Sequence, residues 1–402
     1  MRKYVILLCD GMADTPSDLL GGKTPMMCAH KPTMDMLAAN AEVGMVQTVP
    51  QGMSPGSDVA NLSVLGYDPS ECYTGRSPLE AANIGVELKD DDMALRCNLV
   101  TLSDEDNYTD KKMADYCGGD IHTDEADELI KALQAAFGNE EFSFYTGTAY
   151  RHCLVWHGQT TDIGTLTPPH DISGQVIGEH LAADPKAAPL VDMMKKSVAV
   201  LNDHPVNVAR RAKGLSPANA MWLWGQGSRP QLQDFRDRFG VKGAMISAVD
   251  LLKGIARLNG MQVYEVEGAT GYIDTNFEGK QQAAVQALRD GADLVYVHVE
   301  APDECGHRGE PENKVRAIEE IDRRLLSPLL KELETMGDYA VLILPDHPTP
   351  LAIRTHSSDP VPYLLYRSDN PVQGVACFTE QTAAENATAI QPVGSLMGKL
   401  LS

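Results

Sequence analysis

Asp10, Asp303 and Asp346 each stand at or just beyond the end of a short apolar run, and His307, His347 and His356 follow close behind the last two. Carboxylates and imidazoles are oxygen and nitrogen donors for divalent cations. With no thiolate among them the set suits Mn²⁺, Zn²⁺ or Mg²⁺, and the three histidines favour Mn²⁺ or Zn²⁺. Asp303-Glu304-Cys305-Gly306-His307 places a carboxylate and an imidazole four residues apart, a spacing that points both to one side where a loop enters a helix. Asp346-His347 offers two adjacent donors, suited to a position between two ions. Taken singly, each aspartate reads equally well as a cap or turn former, and each histidine as an ordinary surface or core residue. Their joint placement at strand ends carries the reading, and with Ser57 the seven groups are too many for one ion.

Ser57 is the candidate nucleophile. Pro55-Gly56 makes a turn, Val59, Leu62 and Leu65 recur at helical spacing, and Gly66 stops the pattern. The serine therefore sits at a helix N-terminus, where free N–H groups and the helix dipole favour an anion such as a phosphate or an alkoxide. The plain alternative is a capping serine. A metal ion beside the hydroxyl would lower its pKa and supply the activation that a free serine lacks. Other phosphate and hydrolase motifs are spoiled. Gly21-Gly22-Lys23-Thr24 has Ser17 where a P-loop needs its first glycine and Pro25 directly after, and no Gly-x-Ser-x-Gly surrounds Ser57.

The elements that must position these residues are short β-branched-rich runs, the mark of strands covered on both faces, at 4–9, 220–224, 262–266, 294–299 and 340–344. Helical patterns alternate with them at 32–40, 187–202, 281–290 and 313–336, so the chain is α/β with a mostly parallel sheet between helices. Beyond the carboxyl ends of such strands lies the usual binding crevice, so the three tips that deliver Asp10, Asp303 and Asp346-His347 are expected to converge. Residues 90–174 read differently, with broken acidic stretches and isolated strand-like runs such as 151–156. They form a smaller inserted α+β cap, leaving 1–89 and 175–402 as the core. A chain of 402 residues accommodates both.

A formal charge of -22 argues against nucleic acid or an anionic membrane as partner, because either would need Lys and Arg to neutralise phosphates. An anionic substrate must then be drawn in by bound metal ions and a few arginines. The eight cysteines are scattered with no C-x-x-C pair, the N-terminus lacks a secretory signal pattern, and no run reaches membrane-span length, so a cytoplasmic protein with reduced thiols is expected. No oligomeric state follows from the sequence.

Cys9-Asp10-Gly11-Met12, the stretch from Pro55 to Asp68, Asp303 to His307 and Asp346 to Pro350 together resemble the cofactor-independent phosphoglycerate mutases of the archaeal type, members of the alkaline phosphatase superfamily. The resemblance runs almost end to end, through Thr74 to Glu80, Asp203 to Asn207 and Val266 to Tyr272. It implies an alkaline-phosphatase-like core with two divalent ions, Mn²⁺ first. One ion would be held by Asp303, His307 and His356, the other by Asp10, Ser57, Asp346 and His347. It also implies that Ser57 carries the phosphoryl group while 3-phosphoglycerate becomes 2-phosphoglycerate. By similarity of position Arg76, Arg151, His152, His170 and Asp171 clamp the small phosphorylated substrate, with Lys253 a weaker member and Arg210-Arg211 read as solvated helix charges. Trp222-Leu223-Trp224-Gly225-Gln226-Gly227-Ser228-Arg229 and Pro168 to Gly174 depart from the archaeal pattern. They look more like a bacterial branch proposed to act as homoserine kinase in threonine biosynthesis, which would make homoserine and ATP the alternative substrates.

Overall fold

The computed structural model describes residues 2–159 and 162–402. Among them the strands, in chain order, are β1 (Lys3–Cys9), β2 (Glu42–Val46), β3 (Met93–Leu102), β4 (Met113–Asp115), β5 (Phe142–Thr148), β6 (Arg151–Trp156), β7 (Ala220–Ser228), β8 (Gly243–Ile246), β9 (Gln262–Val263), β10 (Leu294–Val299), β11 (Tyr339–Leu344) and β12 (Val361–Arg367). They divide between two compact units, Met1–Tyr73 with Gln231–Ser402, and Thr74–Pro230.

The first unit is built on a seven-stranded sheet in the order β2-β12-β11-β1-β10-β8-β9. β11, β1, β10, β8 and β9 are parallel, and β12 pairs antiparallel with both β11 and β2. β1, β10 and β11 are continuous apolar runs because both faces are covered. Val5, Leu7, Val295, Val297, Val341 and Ile343 pack with Ala284, Leu288, Ile318 and Leu325 of the helical layer, while Ile6 and Leu8 on the opposite face are equally buried. Cys9 pairs with Val299 and Leu8 with Leu344, so these three neighbouring strands end level with one another. The helix expected over 313–336 is a helical rod in three parts, Pro311–Glu320, a π turn at Ile321–Leu326 and Ser327–Glu334. Pro328 has no N–H to continue the α ladder, and a widened turn precedes it.

The second unit carries an antiparallel sheet in which β3 pairs with β4, β6 and β7, and β6 with β5. The helices Thr123–Phe137 and Ala188–Leu201 bury Leu129, Leu133, Leu190 and Met194 against its Leu95, Leu99, Leu154 and Leu223. The boundaries at 90 and 174 are thereby displaced to 74 and 230. The run at 220–224 belongs not to the parallel core sheet but to β7, which pairs with β3 from Met93 to Val100 and draws the preceding helices into the same unit. Arg210 is not a solvated charge either. It is buried, with its guanidinium on Glu125 and on the carbonyls of Gly118, Gly119 and Ser216. The two ends of this unit are joined side by side, since Thr74 Oγ1 donates to the Ser228 carbonyl.

Among the described residues no helix is long and apolar enough to cross a membrane, and all eight cysteines are unpaired.

Candidate active site

The level strand ends set the site. Asp10 follows β1 directly, Asp346 lies two residues past β11, and Asp303 and His307 stand one turn apart on the helix Ala301–Arg308 that begins just after β10. The 303–307 spacing therefore acts through a helix face rather than a loop. Ligand atoms of Asp10, Asp346 and His347 lie within 4.8 Å of one another, and so do those of Asp303, His347 and His356. His347 is the shared member, with Nε2 3.4 Å from Asp346 Oδ2 and 3.7 Å from Asp10 Oδ1. His307 completes the second cluster, its Nε2 3.2 Å from Asp303 Oδ2 and 2.9 Å from His356 Nε2. Gly11 is required by this crowding. Its φ is +59°, and a Cβ there would sit 2.5 Å from both Asp303 Oδ1 and Thr349 Oγ1.

Hydrogen bonds at the far side of each ring assign the tautomers. His307 Nδ1 lies 3.0 Å from the Arg354 carbonyl and His356 Nδ1 2.9 Å from that of Pro55, and a carbonyl can only accept. The Thr349 hydroxyl donates to Asp303 Oδ1, so at 3.3 Å it accepts from His347 Nδ1. All three rings thus carry the proton on Nδ1 and turn the Nε2 lone pair inward, the arrangement that second-shell carbonyls impose on metal-binding histidines. Two lone pairs 2.9 Å apart on His307 and His356 repel unless a proton or a cation lies between them. Asp10 Oδ1 points the same way, being buried with no hydrogen-bond partner. The donor set fits divalent cations on both counts.

The electrostatics agree. Burial, then the charges of Asp346, Asp303 and Glu300, push the Asp10 carboxyl well above its ordinary range. Burial also acts upward on Asp303, but hydrogen bonds with His307 and His356 outweigh it and hold that carboxyl well below the usual value. The His307 imidazole is raised to about 9, first by its hydrogen bond with Asp303, whereas burial and the neighbouring His356 lower His347.

Ser57 opens the helix Ser57–Val64, with Gly56 in the capping position, so the serine is not the cap. Its Oγ lies instead 3.2 Å from His347 Nε2.

The residues expected to bind substrate are only partly brought together. In the second unit Arg76 and Arg96 both contact the Glu80 carboxylate, at 2.9 and 2.8 Å, and Arg96 lies over the Trp224 ring, which His170 meets edge-on. Arg151 belongs to the same group, because with the two other arginines it acts on Glu80, and its strand position is level with Asn98, whose Oδ1 accepts from Trp224 Nε1. Asp171 stands beside His170, 3.5 Å away and exposed. His152 does not join them. Strand alternation turns it to the opposite face from Arg151, where it is buried with Nδ1 accepting from Gly147 N–H, and burial lowers it to about 3. Lys253 pairs with Glu265 and Asp250.

A family model described as 2,3-bisphosphoglycerate-independent phosphoglycerate mutase matches residues 38–207. A protein of Geobacter sulfurreducens named "probable 2,3-bisphosphoglycerate-independent phosphoglycerate mutase" is 49% identical over 99% of both chains, and one of Methanosarcina barkeri with that name, without the qualifier, is 48% identical over 99% of both. The chain belongs to the 2,3-bisphosphoglycerate-independent phosphoglycerate mutase family. The fold concurs. A solved cofactor-independent phosphoglycerate mutase of Thermoplasma acidophilum aligns with a TM-score of 0.68 at 26% identity, covering 100% of this chain and 99% of that one. A protein of Pyrococcus horikoshii aligns with a TM-score of 0.81 at 30% identity, covering 100% and 97%.

Within this phosphoglycerate mutase fold, several residues matter that the sequence did not single out. Asn61, one turn after Ser57, donates to Asp346 Oδ2 at 2.9 Å and to the Ser57 carbonyl at 2.8 Å, while its own oxygen accepts from Tyr296. Lys314, fully buried, holds the Thr349 carbonyl at 2.7 Å and Asp14 at 2.8 Å, tying the loop after β11 to the loop after β1. Arg96 was hidden inside a strand. The one available signal was that Asn61 falls at helical spacing from Ser57 on the same side.

Proposed function

We propose that this protein interconverts 3-phosphoglycerate and 2-phosphoglycerate through a phosphoserine on Ser57, without added bisphosphoglycerate. The observation that carries the reading is Ser57 Oγ, placed at a helix N-terminus and 3.2 Å from His347 Nε2 among three aspartates and three histidines with inward lone pairs. Full-length relatives bearing the mutase name support it.

Asp303, His307 and His356 would hold one divalent ion, and Asp10, Ser57, Asp346 and His347 the other. Mn²⁺ is the first choice. Such ions supply Lewis-acid charge that lowers the serine hydroxyl's pKa and offsets charge on the transferring group. In the forward direction the Ser57 Oγ–P bond forms as the bond from phosphorus to O3 of the substrate breaks, and the serine proton ends on O3. The glycerate then turns in place. Its O2 takes the phosphoryl group, the Oγ–P bond breaks, and the O2 proton returns to Ser57. Nothing is consumed, as an isomerisation requires. The positive end of the helix Ser57–Val64 favours the phosphoserine dianion. In the second unit Arg76, Arg96 and Arg151 gather around Glu80, and their forked donors suit a phosphate or carboxylate. A cytoplasmic location suits eight unpaired cysteines.

In the Trp222 to Arg229 segment, which resembled the kinase branch, three residues have a packing role. Trp222 and Trp224 are buried in β7, and a Cβ on Gly227 would lie 2.7 Å from both Pro78 Cδ and the Thr74 carbonyl. The test is one preparation loaded with Mn²⁺ and offered both substrate sets. Conversion of 3- to 2-phosphoglycerate without bisphosphoglycerate is expected. No turnover across Mn²⁺, Zn²⁺ and Mg²⁺, or ATP-dependent formation of phosphohomoserine instead, would sink the mutase reading.

A further inference from the structure

His298 differs from the three histidines of the site in which nitrogen bears its proton. It lies inside β10, fully buried, with Nε2 2.8 Å from Asp10 Oδ2. As the ligand of a cation Asp10 is ionised and can only accept, so Nε2 carries the hydrogen. On the far side Nδ1 lies 3.1 Å from Ser247 Oγ; a neutral ring with its hydrogen on Nε2 can only accept there, so the serine hydroxyl donates to Nδ1 while its oxygen accepts from the Val249 N–H at 3.0 Å. Ser247 is buried too, and Lys280 Nζ holds the His298 carbonyl at 2.7 Å. The result is a fixed relay from Val249 N–H through Ser247 and His298 to one oxygen of Asp10. The other oxygen, Oδ1, is the buried atom without a hydrogen-bond partner.

We propose that His298, locked in its Nε2–H form by Ser247, is a positioning residue that engages Oδ2 of Asp10 and so commits the carboxylate to a cation through Oδ1 alone. It touches no substrate and acts only through Asp10. This inference rests on the reading of Asp10 as a metal ligand. A carboxylate with both oxygens free can rotate and chelate through either or both, whereas one pinned by a buried donor presents a single oxygen in a fixed direction. Removing a partner of this kind characteristically weakens metal binding by about 10–100-fold.

The experiment titrates chelator-stripped protein with Mn²⁺ and reads the free ion by electron paramagnetic resonance, with the melting temperature of each metal-free variant as the control on folding. Wild type is expected to take two equivalents. His298→Leu should weaken one equivalent by about 10–100-fold and leave the other nearly unchanged. His298→Gln, which keeps an N–H close to the Nε2 position, should recover most of the loss, and Ser247→Ala should show a smaller loss at the same equivalent. If His298→Leu does not fold, the Ser247→Ala and His298→Gln titrations carry the test. Wild-type affinity in both His298→Leu and Ser247→Ala overturns the proposal. So does equal weakening of both equivalents with Gln no better than Leu, which would mark His298 as merely structural. A wild type that takes up no Mn²⁺ overturns the metal reading itself, and the inference with it.

Discussion

The inner half of the site, Asp10, Asp346 and His347, is sealed from solvent, whereas the outer half, Asp303, His307 and His356, keeps His307 one-third exposed and His356 one-fifth exposed. The two halves are also held differently. Inner carboxylates take hydrogen bonds from buried side chains, His298 on Asp10 and Asn61 on Asp346. Outer imidazoles are held by backbone carbonyls of two loops, at Arg354 and Pro55. The charge problem differs accordingly: burial and then crowded anions push Asp10 upward in the inner half, while in the outer half a deeply lowered Asp303 lifts His307 to about 9. The two halves therefore offer a cation different surroundings, one buried and anion-rich, the other accessible and proton-binding.

Ser57→Ala strikes the inner half hardest. The expected loss is about 10⁴-fold or more in kcat, since removing a nucleophile leaves only binding and electrostatic assistance. A steady-state assay checks it, and near-wild-type turnover would break the assignment of Ser57. Next comes metal removal. Saturation with Mn²⁺ at about 100 times Kd should raise unfolding free energy by about 2.7 kcal/mol over the chelated protein, measured by denaturant melts with and without chelator. No difference would mean that the native state binds no ion in preference to the unfolded chain. Arg96→Ala lies outside both halves and should cost about tenfold in kcat/KM through KM, with Mn²⁺ uptake unchanged. A fall in Mn²⁺ affinity would contradict that separation. A further effect is in pH. His307 is protonated below about 9, and an ion must displace that proton, so outer-half affinity should fall by up to about tenfold for each pH unit below 9 and level off above it. Calorimetry in two buffers of different ionisation enthalpy reads the released proton.

Much of this was legible before any fold was known, because parallel strands covered on both faces leave a plain signature and their ends are where polar residues gather. β1, β10 and β11 were read within a residue, and Asp10, Asp346 and His347 followed from them. β7 was misplaced for the same reason. Its run Ala-Met-Trp-Leu-Trp is buried in an antiparallel sheet, and an apolar run does not say which sheet buries it. The domain boundary was illegible because it depends on β3 pairing with a strand more than a hundred residues away. His298, Lys314 and Arg210 share another obscurity. Each is a polar side chain deep inside the protein, satisfied by partners remote in sequence, and no local pattern distinguishes such a residue from an exposed one. His152 shows the converse, since adjacency to Arg151 suggested a shared role that strand alternation forbids.

The seam at Thr74 and Ser228 has an evolutionary consequence. A segment of more than a hundred and fifty residues leaves and re-enters the chain at a point pinned by a hydrogen bond, so the host fold meets it as it would meet a short surface loop. Lengthening a loop whose ends are already fixed adds little entropic penalty. The insert could therefore grow, shrink or be exchanged at little cost to the fold that carries Ser57 and its neighbours.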